Sequence, residues 1–173
     1  FTMEHFDVEP DIICAAKGIA SGMPLSAMIA KESVMTWPSG AHGTTFGGNP
    51  VSLAAAKATL DELNGGLIKN ASEVGQTFMN HLKQWPDRYA HVGDVRGLGL
   101  MIGIEIVHED EHGVIQPDPD TRDIIIEEAF KHGLIVLPCG SNTIRLCPPL
   151  VITHEQAELA CQIMEKILDK VHA

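Results

Sequence analysis

The 173-residue chain is 45% hydrophobic and 20% charged, an ordinary globular balance that excludes extensive disorder and suffices for one moderate core or two small ones. Its formal net charge of −11 argues against nucleic acid and anionic membrane surfaces as partners, because that field would repel both. No apolar run reaches the roughly 18 residues that a bilayer-spanning helix needs.

The chain opens Phe1-Thr2-Met3-Glu4-His5, with neither a basic patch nor an apolar core of signal-peptide length. A start at Phe is expected of a piece of a longer polypeptide. Residues 11–16 (DIICAA) and 25–30 (LSAMIA) have the length and apolar character of strands. The intervening Gly18-Ile19-Ala20-Ser21-Gly22-Met23-Pro24 reads as a turn-rich loop. Asn49-Pro50 predicts a helix start, Asn as cap and Pro in the first turn, with Gly65-Gly66 as its end. A second helix, from about Leu67 to Gln84, carries Leu67, Ile68, Ala71, Val74, Phe78, Met79 and Leu82 on one face and stops at Pro86.

Beyond residue 86 the pattern changes. Residues 98–107 (LGLMIGIEIV) predict one long strand, followed by a polar, acidic turn at His108 to Gln116 in which Val114-Ile115 starts a return strand. Asp120 is expected to cap a helix that turns Ile125, Ile126, Ala129 and Phe130 inward and ends at Gly133. Residues 134–137 and 143–147 read as short strands around Gly140-Ser141-Asn142. Thr153 and Gln156 form a capping box for a last helix with Ala160, Ile163, Met164, Ile167, Leu168 and Val171 buried. Two pieces are therefore expected, residues 1–85 and an α+β unit at 86–173. The four cysteines (Cys14, Cys139, Cys147, Cys161) show no C-x-x-C spacing, and buried free thiols in a reducing cytoplasm are expected.

Three places carry potential chemistry. Lys17 ends an apolar strand just before Gly18, where active sites of α/β sheets collect, and a partly dry amine there suits Schiff-base chemistry. A lysine snorkelling from a strand edge explains the same spacing. Thr44 and Thr45, flanked by glycines just before a helix start, can receive a phosphate, or the stretch is a plain connector. Arg145 alternates with apolar residues in a strand and needs an anion, either a substrate carboxylate or an internal acid. His108-Glu109-Asp110-Glu111-His112 reads as a solvated turn rather than a metal site. The glycines of Arg96-Gly97-Leu98-Gly99 lead into a strand, not out of one, which is the wrong context for a dinucleotide motif.

Taken together, "EPDIICAAKGIASGMPLSA", "HGTTFGGNP", "VRGLGLMIGIEI" and "IRLCPPLVIT" resemble, in order and over nearly the whole chain, the class III pyridoxal-phosphate (PLP) aminotransferases, such as the 4-aminobutyrate and ornithine enzymes. The resemblance implies an α/β, aspartate-aminotransferase-like fold (fold type I of PLP enzymes). Residues 1–85 would be the end of the large PLP-binding domain and 86–173 most of the small carboxy-terminal domain. It implies that Lys17 forms the Schiff base with PLP and moves the substrate proton, that Thr44 and Thr45 bind the cofactor phosphate across a homodimer interface, and that Arg145 holds a substrate carboxylate. The reaction implied is amino transfer from an amino acid, ω-amino acids included, to a 2-oxo acid. Cys14 before the lysine and Thr44 where Ser is common are minor departures. The family's D-x-x-Q segment, its ring-stacking aromatic and its Gly-rich phosphate turn are not in these residues, so the chain alone is expected to bind PLP poorly and catalyse little. A racemase, aminomutase or decarboxylase on the same scaffold, and a non-catalytic fragment, are the rival readings.

Overall fold

The computed structural model describes residues 1–171, which fall within two compact units, Phe1–Gly65 and Gly66–Ala173. In the first unit, β1 (Ile12–Ala15) and β2 (Ala27–Ala30) pair antiparallel with Ile13 opposite Ile29 and Cys14 opposite Met28. A 3-10 turn, Lys17–Ala20, follows β1 directly. Helix α1 (Pro50–Glu62) starts as the sequence predicts, with Asn49 Oδ1 accepting from the N–H groups of Val51 and Ser52 and Pro50 in the first turn. Small residues, Ala20 on the 3-10 turn and Ser52 and Ala56 on the helix, are the buried ones of this unit. Its large apolar side chains, among them Phe6, Ile12, Met28, Ile29, Trp37 and Phe46, are exposed.

The second unit has a dense core. Helix α2 (Ile68–Leu82) buries Val74, Gly75, Phe78 and Leu82, while Ile68, expected on that face, is 59% exposed because it lies in the first turn. The helix does not simply stop at Pro86. A short helix α3 (Trp85–Arg88) follows, with Pro86 accommodated in its first turn, where no N–H is needed. Trp85 is fully buried, and its Nε1–H reaches Glu165 Oε1 at 3.3 Å, which satisfies its one polar atom.

Strand β3 (Val92–Leu98) and β4 (Met101–Glu109) form an antiparallel hairpin, so the single strand expected at 98–107 is corrected: Leu98 ends one strand and Gly99-Leu100 make the turn. Gly99 takes φ 56°, a left-handed conformation that few other residues tolerate, and this allows the reversal inside an apolar run. A short β5 (Ile115–Pro117) pairs with the end of β4. Helix α4 (Pro119–Lys131) is capped by Asp118, which accepts from Thr121 N–H; Asp120, expected as the cap, lies two residues past it, inside the first turn. Phe130, expected inward, is 67% exposed, while Ile125 and Ala129 are buried. Strands β6 (Leu137–Cys139) and β7 (Thr143–Leu146) complete the sheet, in the order β3-β4-β7-β6, and β5 pairs with β4 off this path.

The last helix, α5 (His154–Val171), has the predicted capping box, with Thr153 Oγ1 accepting from Gln156 N–H and Gln156 Oε1 from Thr153 N–H. Side chains of α2, α4 and α5 cover one face of the sheet, meeting Ile102, Ile104, Ile106, Ile144 and Leu146. The opposite face carries Asp94, Arg96, Gly103, Glu105, Thr143 and Arg145, by the alternation of the strands. Helix α2 is thus part of the second unit's core, which is why the compact units divide at Gly65/Gly66 and not at the expected 85/86. Gly66, at φ 151°, breaks the helical path there. Of the cysteines, Cys161 alone is buried; Cys14, Cys139 and Cys147 are free and exposed, contrary to the expectation of buried thiols, because each lies on a short strand or strand end with one face uncovered among the described residues.

Candidate active site

Lys17 is placed by the way β1 ends. Ala16 is still extended, at φ −153°, and Lys17 then takes φ 54°, the left-handed region that a side-chain-bearing residue enters at a cost of about 1–3 kcal/mol. The 3-10 turn that starts at Lys17 is fastened to α1. Thr59 Oγ1 donates to the Ala55 carbonyl at 2.9 Å and lies 2.9 Å from Ser21 Oγ, so the Ser21 hydroxyl is the donor to Thr59. Ser21 is itself left-handed, at φ 46°. Lys17 therefore owes its direction to a turn held at its far end by a helix.

Lys17 opens onto a groove of about 430 Å³ lined by Gly18, Gly22, Met23, Pro24 and Leu25. The dry apolar pocket expected around the amine is not formed by these residues: Lys17 is exposed, since only a turn and a strand end surround it. It makes no ion pair among the described residues. Thr44 and Thr45 are exposed in the loop before α1, and neither side chain is hydrogen-bonded among the described residues. They do not line the Lys17 groove, so the first unit does not gather the three residues around that groove. A Cβ on Gly47 would run into Thr44 Cγ2, so the glycine there lets the loop fold back beside the threonine.

Arg145 is in the second unit, on β7, with Gly103 opposite on β4 and Leu137 opposite on β6. Its Nε is buried without a hydrogen-bond partner, and it forms no ion pair among the described residues. No acid among the described residues pairs with it, which leaves the guanidinium with capacity for a further partner. On the same sheet face, Arg96 Nη1 donates to Asp94 Oδ2 at 2.7 Å and to Glu105 Oε2 at 2.8 Å. These bonds, Asp94's first and Glu105's next, raise the Arg96 pKa. This cluster was not singled out from the sequence. Its signal was there: a two-residue turn at Gly99-Leu100 sets Arg96 and Asp94 against Gly103 and Glu105.

A profile of the family described as Aminotransferase class-III matches residues 1–168. The chain is 46% identical over 171 residues to an alanine/serine racemase of Pyrococcus horikoshii, with 97% of this chain and 35% of that protein covered. It is 42% identical over 173 residues to a 4-aminobutyrate aminotransferase of Mycobacterium leprae, covering 97% of this chain and 38% of that one. In structure it is similar, at a TM-score of 0.84 and 35% identity, to an amine transaminase of an uncultivated Pseudomonas species solved in its PLP-bound form, over 97% of this chain and 40% of that one. The fold and the matched residues are those of the fold type I transaminases. The chain belongs to the class III aminotransferase family. It spans well under half the length of these relatives.

Proposed function

We propose that this chain is the carboxy-terminal part of a PLP-dependent aminotransferase that moves an amino group from an amino acid, ω-amino acids included, to a 2-oxo acid. The observation that carries the proposal is Lys17, a free amine held in a left-handed conformation where β1 gives way to glycine. Such backbone strain collects at functional sites. The residues fit the cofactor in kind. An unpaired amine suits its aldehyde, and two unengaged hydroxyls before a helix suit its phosphate.

In this reading Lys17 holds PLP, and Thr44 and Thr45 hold its phosphate, with the threonines serving the neighbouring protomer of a homodimer. PLP supplies the electron sink. The protein's part is placement and proton transfer. Arg145 grips the substrate carboxylate through parallel N–H bonds, which orients the amine-bearing carbon. Lys17 Nζ, released by the incoming substrate amine, would take the proton from that carbon and deliver it to the carbon of the cofactor's aldehyde group, the shift that amino transfer requires.

We assign the first unit to the end of the large cofactor-binding domain and the second to the small carboxy-terminal domain. The exposed Ile12, Met28 and Ile29 support this, because a two-stranded sheet with bare apolar side chains needs further polypeptide to cover it. The chain alone is accordingly expected to bind PLP weakly and to turn over little. The four free cysteines support a reducing compartment, the cytoplasm, and the charge of −11 supports small-molecule partners over nucleic acid or membrane.

The test is borohydride reduction of the complete protein with PLP, followed by peptide mapping. Label on Lys17 is expected, and label only elsewhere would overturn the proposal. The 46% identity to a racemase favours one second reading, racemisation on the same scaffold. Product analysis with and without a 2-oxo acid separates the two, since only transamination requires the acceptor.

A further inference from the structure

The face of the second unit's sheet away from its helices carries two arginines in one cross-strand row, Arg96 on β3 and Arg145 on β7, with Gly103 of β4 between them. Their surroundings are opposite. Arg96 is held by two carboxylates, Asp94 and Glu105. Arg145 has none, and its Nε is orphaned. Glu105 is the acid best placed to change that. It lies two residues along β4 from Gly103, which is opposite Arg145, so Glu105 and Arg145 are diagonal neighbours on one face. Such neighbours have Cα atoms about 7–8 Å apart, a gap that a glutamate and an arginine bridge.

Glu105 is turned the other way. Its Oε2 accepts from Arg96 at 2.8 Å, and its Oε1 faces Asn142 Nδ2 at 3.5 Å. Asn142 is fixed in turn, buried and donating to the Ile106 carbonyl at 2.6 Å. Gly103 itself puts no side chain there, and the side-chain group that leans into the space is the Thr143 methyl, 3.1 Å from where a Cβ on Gly103 would stand. The polar hold that draws Glu105 away from Arg145 is that of Arg96, assisted by Asn142, with the small Thr143 methyl beside the gap.

We infer that Arg96 is a positioning residue: by occupying Glu105 it keeps that carboxylate off Arg145 and leaves the guanidinium free for a substrate carboxylate. This rests on the reading of Arg145 as the carboxylate-binding residue. The physical basis is competition. A tethered carboxylate acts at high effective concentration, and a ligand's apparent affinity falls by the fraction of sites left free. Without Arg96, Glu105 becomes that tethered competitor.

The experiment is steady-state kinetics of the complete enzyme with pyruvate or 2-oxoglutarate, whichever acceptor the wild type uses. Arg145→Gln tests the underlying reading and is expected to raise acceptor KM steeply. Arg96→Gln is expected to raise it roughly two- to fivefold, the range of a partly exposed ion pair, while kcat is unchanged within error. Adding Glu105→Gln to Arg96→Gln is expected to return KM to the wild-type value, which a merely structural role for Arg96 would not do. If Arg145→Gln leaves KM unchanged, the reading of Arg145 falls, and the inference with it. If Arg145→Gln raises KM but Arg96→Gln does not, or if Glu105→Gln fails to cancel the rise, the positioning role alone is overturned. Should Arg96→Gln not fold, Arg96→Met, which keeps the aliphatic stem but donates no hydrogen bond to Glu105, carries the same test through the same Glu105→Gln rescue.

Discussion

Gly75 on helix α2 lies against the backbone of Gly99 in the turn between β3 and β4: a Cβ on Gly75 would run into the Gly99 carbonyl and would stand 2.7 Å from its Cα. The obstacle is main chain, which cannot swing aside as a side-chain tip can. Gly75→Ala is therefore expected to destabilise the second unit by about 1–3 kcal/mol, the usual cost of overpacking. Gly65→Ala is the control, since a Cβ there meets nothing within 4 Å. Urea titration of both variants checks this, and equal midpoints would refute the close approach.

That contact also marks the limit of what the sequence shows. The caps were legible because their chemistry is local: Asn49-Pro50 and Thr153…Gln156 each satisfy N–H groups within three residues. The stripe of α5 was legible from its period. The hairpin at Gly99 was not, because Leu98, Leu100 and Met101 continue the apolar run through the turn, and a φ of 56° leaves no trace in hydropathy. Phe130 misled for the opposite reason, as it continues an apolar pattern on the exposed side of α4. At the site, Lys17, Thr44, Thr45 and Arg145 stand out by residue type, and their proposed roles come from the resemblance. The strain at Lys17 and the clamp on Arg96 depend on backbone conformation and register, which spacing alone does not fix.

Cys161 is expected to be inert where the other three thiols are not. It is 2% exposed inside the second unit's core, and burial, with smaller contributions from Glu165 and Glu158, pushes its pKa up to about 12. The thiolate is the reactive form, so alkylation of Cys161 by iodoacetamide at pH 8 should await unfolding, while Cys139 and Cys147 react in the folded chain. Mass mapping of the alkylated cysteines, with and without denaturant, decides it. Labelling of all four at similar rates without denaturant would contradict the packing of α5.

The two threonines make separable predictions. Thr45→Val removes a hydroxyl proposed to meet the cofactor phosphate and is expected to weaken PLP affinity of the complete protein roughly ten- to hundredfold, as for a hydrogen bond to a charged group. Thr44→Ser keeps the hydroxyl and should change little. Gly47→Ala should weaken binding too, because the added Cβ displaces Thr44. Titration with PLP, followed by cofactor absorbance, measures all three. An unaltered Thr45→Val affinity would remove that residue from the phosphate site.

The turn between β4 and β5 is expected to loosen in acid through one carboxylate. Asp110 Oδ1 accepts from the N–H groups of His112 and Val114, each at 2.9 Å, and Oδ2 from Gln116 Nε2 at 3.1 Å. The Val114 bond first, then Gln116 and His112, hold its pKa below the usual 3.8. A depressed folded pKa means that the ionised form is the one the fold prefers. The stabilisation is thus complete above about pH 3.8 and fades as pH falls through the lower folded value. Amide exchange at His112 and Val114, corrected for the intrinsic pH dependence, should lose protection on acidification. In Asp110→Asn, whose amide oxygen still accepts but carries no charge, protection at these two amides should be reduced and flat with pH. The Thr121 amide, bonded to Asp118 instead, should titrate alike in both proteins and so serves as the internal reference. Identical profiles at Val114 in the two proteins would show that the turn is held by its backbone bonds, Asp110 N–H to Val114 and Gly113 N–H to Asp110, and not by the carboxylate.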